Sequence, residues 1–390
     1  MRFRYWSAVA ALYASMLMPH ALAQTTSATP SEVMAKDMRE EIVRIPVTVK
    51  NLYGKEETKP MPVTIYRPAG EGPFPLMVFN HGRAVPEKRA SQGRYRPEMA
   101  ARYFTAKGFV VMVPTRIGYW ETYGDFDPED TGGSNSPRFE GFADAVYTQV
   151  MATVSMAKTL PYVDATRWVV AGQSAGGHTS VIVVSKSPPG LVGGINFAGG
   201  SGGNPYTRPG QPYSPQAVEY FWGGLAKTAK VPMIWLYWPN DKYWGAELPK
   251  SWHKAWVSNG GKAEFPVFGP SPGDEGHHGL DEDMDHWLPY VDNFLNQLGF
   301  TAPAIATRPA ATGYADINDL SKVPVREEHK QGYQQFLATK LPRAFAVTEK
   351  GGYGSATGDY AVGRAMGKCL RYGLKCKLYA VDNDVVWSGK

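Results

Sequence analysis

The 390-residue sequence predicts an α/β protein in which a mostly parallel sheet is covered by helices on both faces. Three observations carry that expectation. The apolar runs Leu76-Met77-Val78-Phe79, Trp168-Val169-Val170-Ala171 and Val231 to Tyr237 lack polar alternation, as strands buried on both faces do. Segments with apolar residues at helical spacing, such as Phe142, Val146, Val150 and Val154, lie between them. A third signal is Gly172-Gln173-Ser174-Ala175-Gly176, a G-x-S-x-G stretch between a strand and a helix, where a tight turn presents a serine above the sheet edge.

Taken in order, Ile42 to Lys50 and Pro62 to Arg67 alternate apolar and polar residues and predict two antiparallel edge strands. A turn over Gly70 to Pro75 leads into the buried strand at Leu76, which ends in the polar loop Asn80-His81-Gly82-Arg83. Arg96 to Lys107 predicts a helix, Gly108 to Pro114 a buried strand, Thr131 to Ser136 a loop and Phe142 to Leu160 a helix. Beyond the serine turn, Leu191 to Ala198 and Val231 to Tyr237 predict strands. The stretch between them from Gly199 to Pro215, rich in Gly, Pro, Tyr and Asn, has the length of a functional loop. Leu248 to Asn259 predicts a helix, Ala263 to Phe268 a short strand, and Met284 to Leu298 an amphipathic closing helix.

Residues 301–313 are rich in Ala, Pro and Thr and read as a linker. Beyond it, a helix over Glu327 to Leu341, a strand over Arg343 to Val347, a helix over Asp359 to Leu370 and a strand over Lys377 to Val381 predict a small α+β module, 314–390. It shows no catalytic constellation. Docking of an unidentified partner and a stabilising appendage are the two roles open to it.

Composition bounds the rest. With 43% hydrophobic residues the chain can bury a large core, and a net charge of +5 without a basic run excludes nucleic-acid binding as the main function. The first 23 residues combine Arg2 and Arg4, an apolar stretch from Tyr5 to Met18, and Ala21-Leu22-Ala23 before Gln24. That is the pattern of a secretory leader, too short for a membrane span, and it predicts a periplasmic or secreted protein whose catalytic domain is 24–300. In such a compartment Cys369 and Cys376 are expected to form one disulfide; a metal or redox pair would want a nearby His or C-x-x-C spacing.

A serine hydroxyl is a weak nucleophile and needs a base, which in turn needs an orienting group. Candidate nucleophile Ser174 is followed by Asp241, in the loop beyond the strand ending near Trp238; Asp274 and Asp281 lie too near the histidines in sequence. Base candidates are the adjacent His277 and His278, of which His278 is preferred because Leu280 can pack beneath the loop and hold its ring. His178 is expected to support packing. Backbone N–H groups of Ala175 and of Arg83 or Gly82 are candidates for an oxyanion hole. Tyr119, Trp120, Tyr123, Trp238, Tyr243 and Trp244 are candidates for a pocket lining, and Arg83 and Arg116 for binding a substrate carboxylate. This chemistry calls for no cofactor and no metal.

Together, the His81-Gly82 loop, the elbow from Gly172 to Gly177, Asn240-Asp241 and Gly276-His277-His278-Gly279 resemble the α/β-hydrolase superfamily, in particular its dienelactone hydrolase-like and prolyl oligopeptidase-like esterase branch. The resemblance covers residues 40 to 300. It implies the α/β-hydrolase fold, with Ser174 as nucleophile, Asp241 as orienting acid and His278 or His277 as base. Dienelactone hydrolases proper use a cysteine where this chain has Ser174, which points to ordinary ester hydrolysis of a small-molecule substrate. The same triad can also run peptide cleavage or acyl transfer, and a catalytically inactive binding protein on this fold is the alternative from another class.

Overall fold

The computed structural model describes residues 35, 38–273, 275–304, 308–370 and 375–389. The leader expected over residues 1–23, and Asp274, lie outside them. β1 (Glu41–Lys50) and β2 (Glu56–Tyr66) pair antiparallel from Glu41 opposite Ile65 to Lys50 opposite Glu56. β1 buries Val43, Ile45, Val47 and Val49 on one face, as its alternation requires. Only β1 is an edge. The second half of β2, Met61 to Tyr66, is buried throughout and pairs with the next strand inward.

From there the chain alternates as the sequence predicts. β3 (Phe74–Asn80) is followed by the short α1 (Pro86–Arg89), α2 (Glu98–Ala106), β4 (Val110–Pro114), α3 (Phe139–Ala157), β5 (Val163–Gln173) and α4 (Ala175–Lys186). β6 (Leu191–Phe197), α5 (Pro215–Ala226), β7 (Met233–Leu236), α6 (Leu248–Ser258), β8 (Ala263–Glu264), the short α7 (Gly279–Glu282) and α8 (Met284–Gln297) complete this part. The eight strands form one sheet in the order β1-β2-β4-β3-β5-β6-β7-β8, antiparallel only at β1/β2 and β2/β4. α5 has no counterpart in the sequence reading. Its adjacent glycines, Gly223 and Gly224, weaken the helical signal, and burial of Val218 and Trp222 overrides them.

Side chains alternate across the sheet, so two cores form. Val78, Trp168, Val170 and Trp235 pack on one face with Trp222 of α5, while Met77, Phe79, Val169 and Ile195 pack on the other with Trp287 of α8. Each such side chain contributes on the order of 1.5–3 kcal/mol by leaving water. With β4, β3, β5, β6 and β7 all parallel, their carboxyl ends share one rim, where ligands of such sheets bind.

The described parts of 301–313 carry neither helix nor strand. Beyond them α9 (Lys330–Leu337), β9 (Arg343–Thr348), β10 (Tyr353–Thr357), α10 (Ala361–Leu370), β11 (Cys376–Val381) and β12 (Asp384–Val385) build a separate antiparallel sheet, ordered β10-β9-β11-β12. Tyr333, Phe336, Phe345 and Tyr379 form its core. On the other side, Ala344, Ala346, Ala361 and Ala365 let α10 lie close to the strands, and a disulfide joins Cys369 to Cys376. α9 ends at Leu337, short of the expected Leu341, where Pro342 disfavours a helical conformation. Among the described residues no helix is long and apolar enough to cross a membrane.

Candidate active site

β5 ends at Gln173 and α4 begins at Ala175, so Ser174 alone makes the turn, with φ 58° and ψ −123°. A serine is rarely found there, and only surrounding structure can hold it. The surroundings are backbone against backbone. A Cβ on Gly172 would lie 2.2 Å from the carbonyl oxygen of Gly176, and one on Gly176 only 2.0 Å from that of Asn80. Glycine is therefore required at both positions for β3, β5 and α4 to meet.

The groups around Ser174 suit developing negative charge. Ala175 opens α4, so its N–H has no acceptor within the helix. Gly82 is in direct contact: a Cβ there would lie 3.2 Å from Cβ and 3.7 Å from Oγ of Ser174. The Gly82-Arg83 loop is anchored by His81, whose Nε2 accepts from the Arg116 N–H at 3.0 Å and whose Nδ1 therefore donates to the Gly82 carbonyl at 2.6 Å. Burial, reinforced by the Arg116 guanidinium, pushes His81 down to about 3. A neutral, doubly engaged ring is a fastener, not a base.

Arg83 and Arg116 are committed elsewhere. Arg116 pairs with buried Glu129, and Arg83 with Asp127 at 2.6 Å and Glu129 at 3.2 Å. Burial opposes the charge of Glu129, but Arg116 and Arg83 outweigh it and hold the carboxyl down at about 2. Tyr119, whose hydroxyl donates to Glu129 at 3.0 Å, belongs to this cluster.

Asp241 is 2% exposed in the turn after β7. Its Oδ1 accepts the N–H groups of Tyr243 (2.7 Å) and Trp244 (3.2 Å), leaving Oδ2 to accept from Nδ1 of His277 at 3.0 Å. Asp241 thus meets His277, and the preference for His278 is corrected. The Gly276–His278 segment is a 3₁₀ turn, in which successive side chains point about 120° apart, so His277 faces inward and His278 lies exposed at the start of α7. Leu280 is buried as expected, but what fixes the loop is Gly279 lying on Trp238, where a Cβ would come within 2.4 Å of the indole ring. With Nδ1–H committed to the carboxylate, Nε2 of His277 is the nitrogen able to take a proton.

Three residues that sequence reasoning gave no role fasten these loops together. Glu275 Oε1 accepts from the N–H of Lys242 at 2.7 Å and of His277 at 3.1 Å. Asn240 Nδ2 donates to the carbonyls of Ser271 (3.1 Å) and Gly273 (3.0 Å). Gln173, beside the serine, donates from Nε2 to the His277 carbonyl at 2.7 Å. Their signal in the sequence was adjacency alone, since each flanks a candidate by one or two positions.

A cavity of about 380 Å³ opens over Ser174 and Ala175, walled by Arg83, Tyr213, Tyr243 and Trp244, with Gly200 to Asn204 of the long loop along one side. Tyr243 stacks on the His277 ring at 3.9 Å and Trp244 meets it edge-on at 5.6 Å. Of the six aromatic candidates only these two line the cavity. Trp238 lies under the histidine loop with its indole N–H donated to Asp283 at 2.6 Å, and Trp120 and Tyr123 sit in or beside a 3₁₀ turn, away from the lining. His178 reaches the cavity from α4 but packs among Phe139, Phe142, Phe221 and Trp222, and burial pushes it down to about 3. Among the described residues no group of His, Cys, Asp and Glu could hold a metal ion.

Strand order and serine turn define the chain as having the α/β-hydrolase fold. No family model matches the sequence, and no curated protein does. Solved structures do: an acetyl xylan esterase from Paenibacillus sp. R4 at 14% identity, over 70% of this chain and 88% of that one, with a TM-score of 0.46. Acetyl xylan esterase 1 from Thermoanaerobacterium sp. is 15% identical over 71% of this chain and 87% of its own, TM-score 0.45. The acylaminoacyl peptidase of Pyrococcus horikoshii is 13% identical over 70% of this chain, TM-score 0.45, and the match spans only 43% of that longer protein.

Proposed function

We propose that the protein is an exported serine hydrolase of carboxylic esters. The observation that carries this reading is the Asp241–His277 hydrogen bond, formed in the same aromatic wall that borders the cavity over Ser174. A histidine whose Nδ1–H is held by a buried carboxylate, stacked on an aromatic ring that lines the cavity over a serine on a strained turn, suits nucleophilic acyl transfer. Export is supported by the leader-like residues 1–23 and by the Cys369–Cys376 disulfide.

In this mechanism His277 Nε2 removes the Ser174 hydroxyl proton as Oγ attacks the ester carbonyl carbon. The resulting oxyanion lies between the N–H of Ala175 and that of Arg83 or Gly82, donors that typically account for about 3–4 kcal/mol each. Collapse expels the alcohol, which takes the proton from His277. Water, deprotonated by the same nitrogen, then attacks the acyl-enzyme; the bond to Ser174 Oγ breaks, Oγ takes the proton from His277, and the acid is released. Asp241 keeps the tautomer right throughout and stabilises the transient imidazolium.

Hydrolysis of a short acyl nitrophenyl ester by the purified full chain tests the reading. Wild type should turn over, and Asp241→Asn should lose roughly 10⁴-fold in kcat while remaining folded. Equal rates in the two proteins would overturn it.

A further inference from the structure

Among the contacts between the C-terminal unit and the rest of the chain, one set made by α10 leads to the base. From α10, Arg364 donates through Nε to Asp285 Oδ1 at 2.6 Å, and the Lys368 ammonium contacts Oδ2 at 2.5 Å. Burial opposes the charge on Asp285, but Lys368 and Arg364 outweigh it and hold the carboxyl below its ordinary range. Beside them α10 comes so close that a Cβ on Gly367 would lie 3.0 Å from the carbonyl oxygen of Asp281 and 3.5 Å from the sulfur of Met284. Tyr360, at the head of α10, meets Tyr103 of α2 edge-on at 5.5 Å, and Tyr103 in turn meets Trp287 at 5.6 Å.

What α10 grips is the junction of α7 and α8. Asp283, 1% exposed, sits in that junction and accepts the indole N–H of Trp238; Trp287 donates to the carbonyl of Leu280 at 2.9 Å. Trp238 lies directly under Gly276 and Gly279, where a Cβ would come within 2.8 and 2.4 Å of it. His277 stands between those two glycines. A continuous set of contacts therefore runs from Arg364 and Lys368 through the α7–α8 junction and Trp238 to the turn carrying His277.

We propose that the C-terminal unit is a positioning element of the hydrolase site: by clamping Asp285, α10 holds the α7–α8 junction and thereby the turn that sets His277 against Asp241. The inference rests on the serine-hydrolase reading given above. It gives the unit a role within this chain rather than toward a separate partner. Asp285, Arg364 and Lys368 are positioning residues, since none touches the reacting groups. Misplacing a catalytic group by about 1 Å can cost about a hundredfold in rate.

The test uses the full chain carrying Asp285→Ala, with Asp285→Glu as the conservative variant. Three quantities are read: ester turnover, labelling by a fluorophosphonate, and hydrogen exchange over 275–288 compared with 172–186. The clamp predicts that Asp285→Ala lowers kcat and the labelling rate together by about tenfold or more with KM nearly unchanged. Exchange should quicken over 275–288 and not over 172–186, and Asp285→Glu should recover most of the rate. Unchanged kcat and unchanged exchange in a folded Asp285→Ala protein would overturn the clamp, as would a rate loss carried entirely by KM. If the probe fails to label wild type, the hydrolase reading falls, and hydrogen exchange over 275–288 still decides whether α10 holds the turn.

Discussion

Asp241 and His277 share a hydrogen bond of 3.0 Å between Oδ2 and Nδ1, while the adjacent His278 faces solvent. Two histidines one position apart are therefore not interchangeable. His277→Ala should lower kcat by about 10⁴-fold or more, whereas His278→Ala should stay within a few-fold of wild type. Steady-state kinetics on both variants decides, and a larger loss at His278 would reverse the assignment.

Glu275 ties the acid loop to the base loop through one oxygen, which receives the N–H groups of Lys242 and His277. Glu275→Gln keeps an acceptor oxygen and should retain most activity. Glu275→Ala leaves both donors unpaired and should cost about tenfold in kcat/KM, equivalent to about 1.4 kcal/mol. Equal losses in the two variants would mean that the carboxylate acts by charge.

Gly176 admits no side chain, because its Cβ would stand 2.0 Å from a backbone oxygen that cannot turn aside. Gly176→Ala should destabilise the fold by about 3 kcal/mol or more, at the upper end for overpacking, and abolish turnover as the serine turn shifts. Urea unfolding measures the first effect. A cooperative transition at the wild-type midpoint would show that the turn relaxes freely.

His178 sets an acid limb on stability. Its pKa in the fold is about 3, against an ordinary value of 6.5, so between these pH values the unfolded chain binds a proton that the folded chain refuses. Stability should be complete above about pH 6.5 and fall as pH drops toward 3. His81 is depressed in the same way and acts with the same sign. Replacing His178 with Phe should flatten the slope by up to about 1.4 kcal/mol per pH unit without removing it. Urea titrations at pH 7 and pH 4.5 test this, and an unchanged slope would contradict it.

Much of this was legible in the sequence because the signals were local. Consecutive apolar residues mark β3 to β7, and Gly172 and Gly176 mark the turn because steric exclusion leaves no other residue possible there. The choice between His277 and His278 was not local: it depends on a 3₁₀ turn and on Gly279 seating against Trp238, a residue 41 positions earlier. Arg83 and Arg116 looked available for a substrate carboxylate, and only the fold brings Asp127 and Glu129 to them. α10's hold on Asp285 spans 79 residues and leaves no mark in either segment's pattern.

The most direct test of the central claim is labelling of the purified protein with a fluorophosphonate, with the modified peptide identified by mass spectrometry. An activated Ser174 predicts a single adduct on Ser174, absent from Ser174→Ala and slowed by about 10⁴-fold in His277→Ala. No adduct on wild type, or the same adduct yield in Ser174→Ala, would contradict the account.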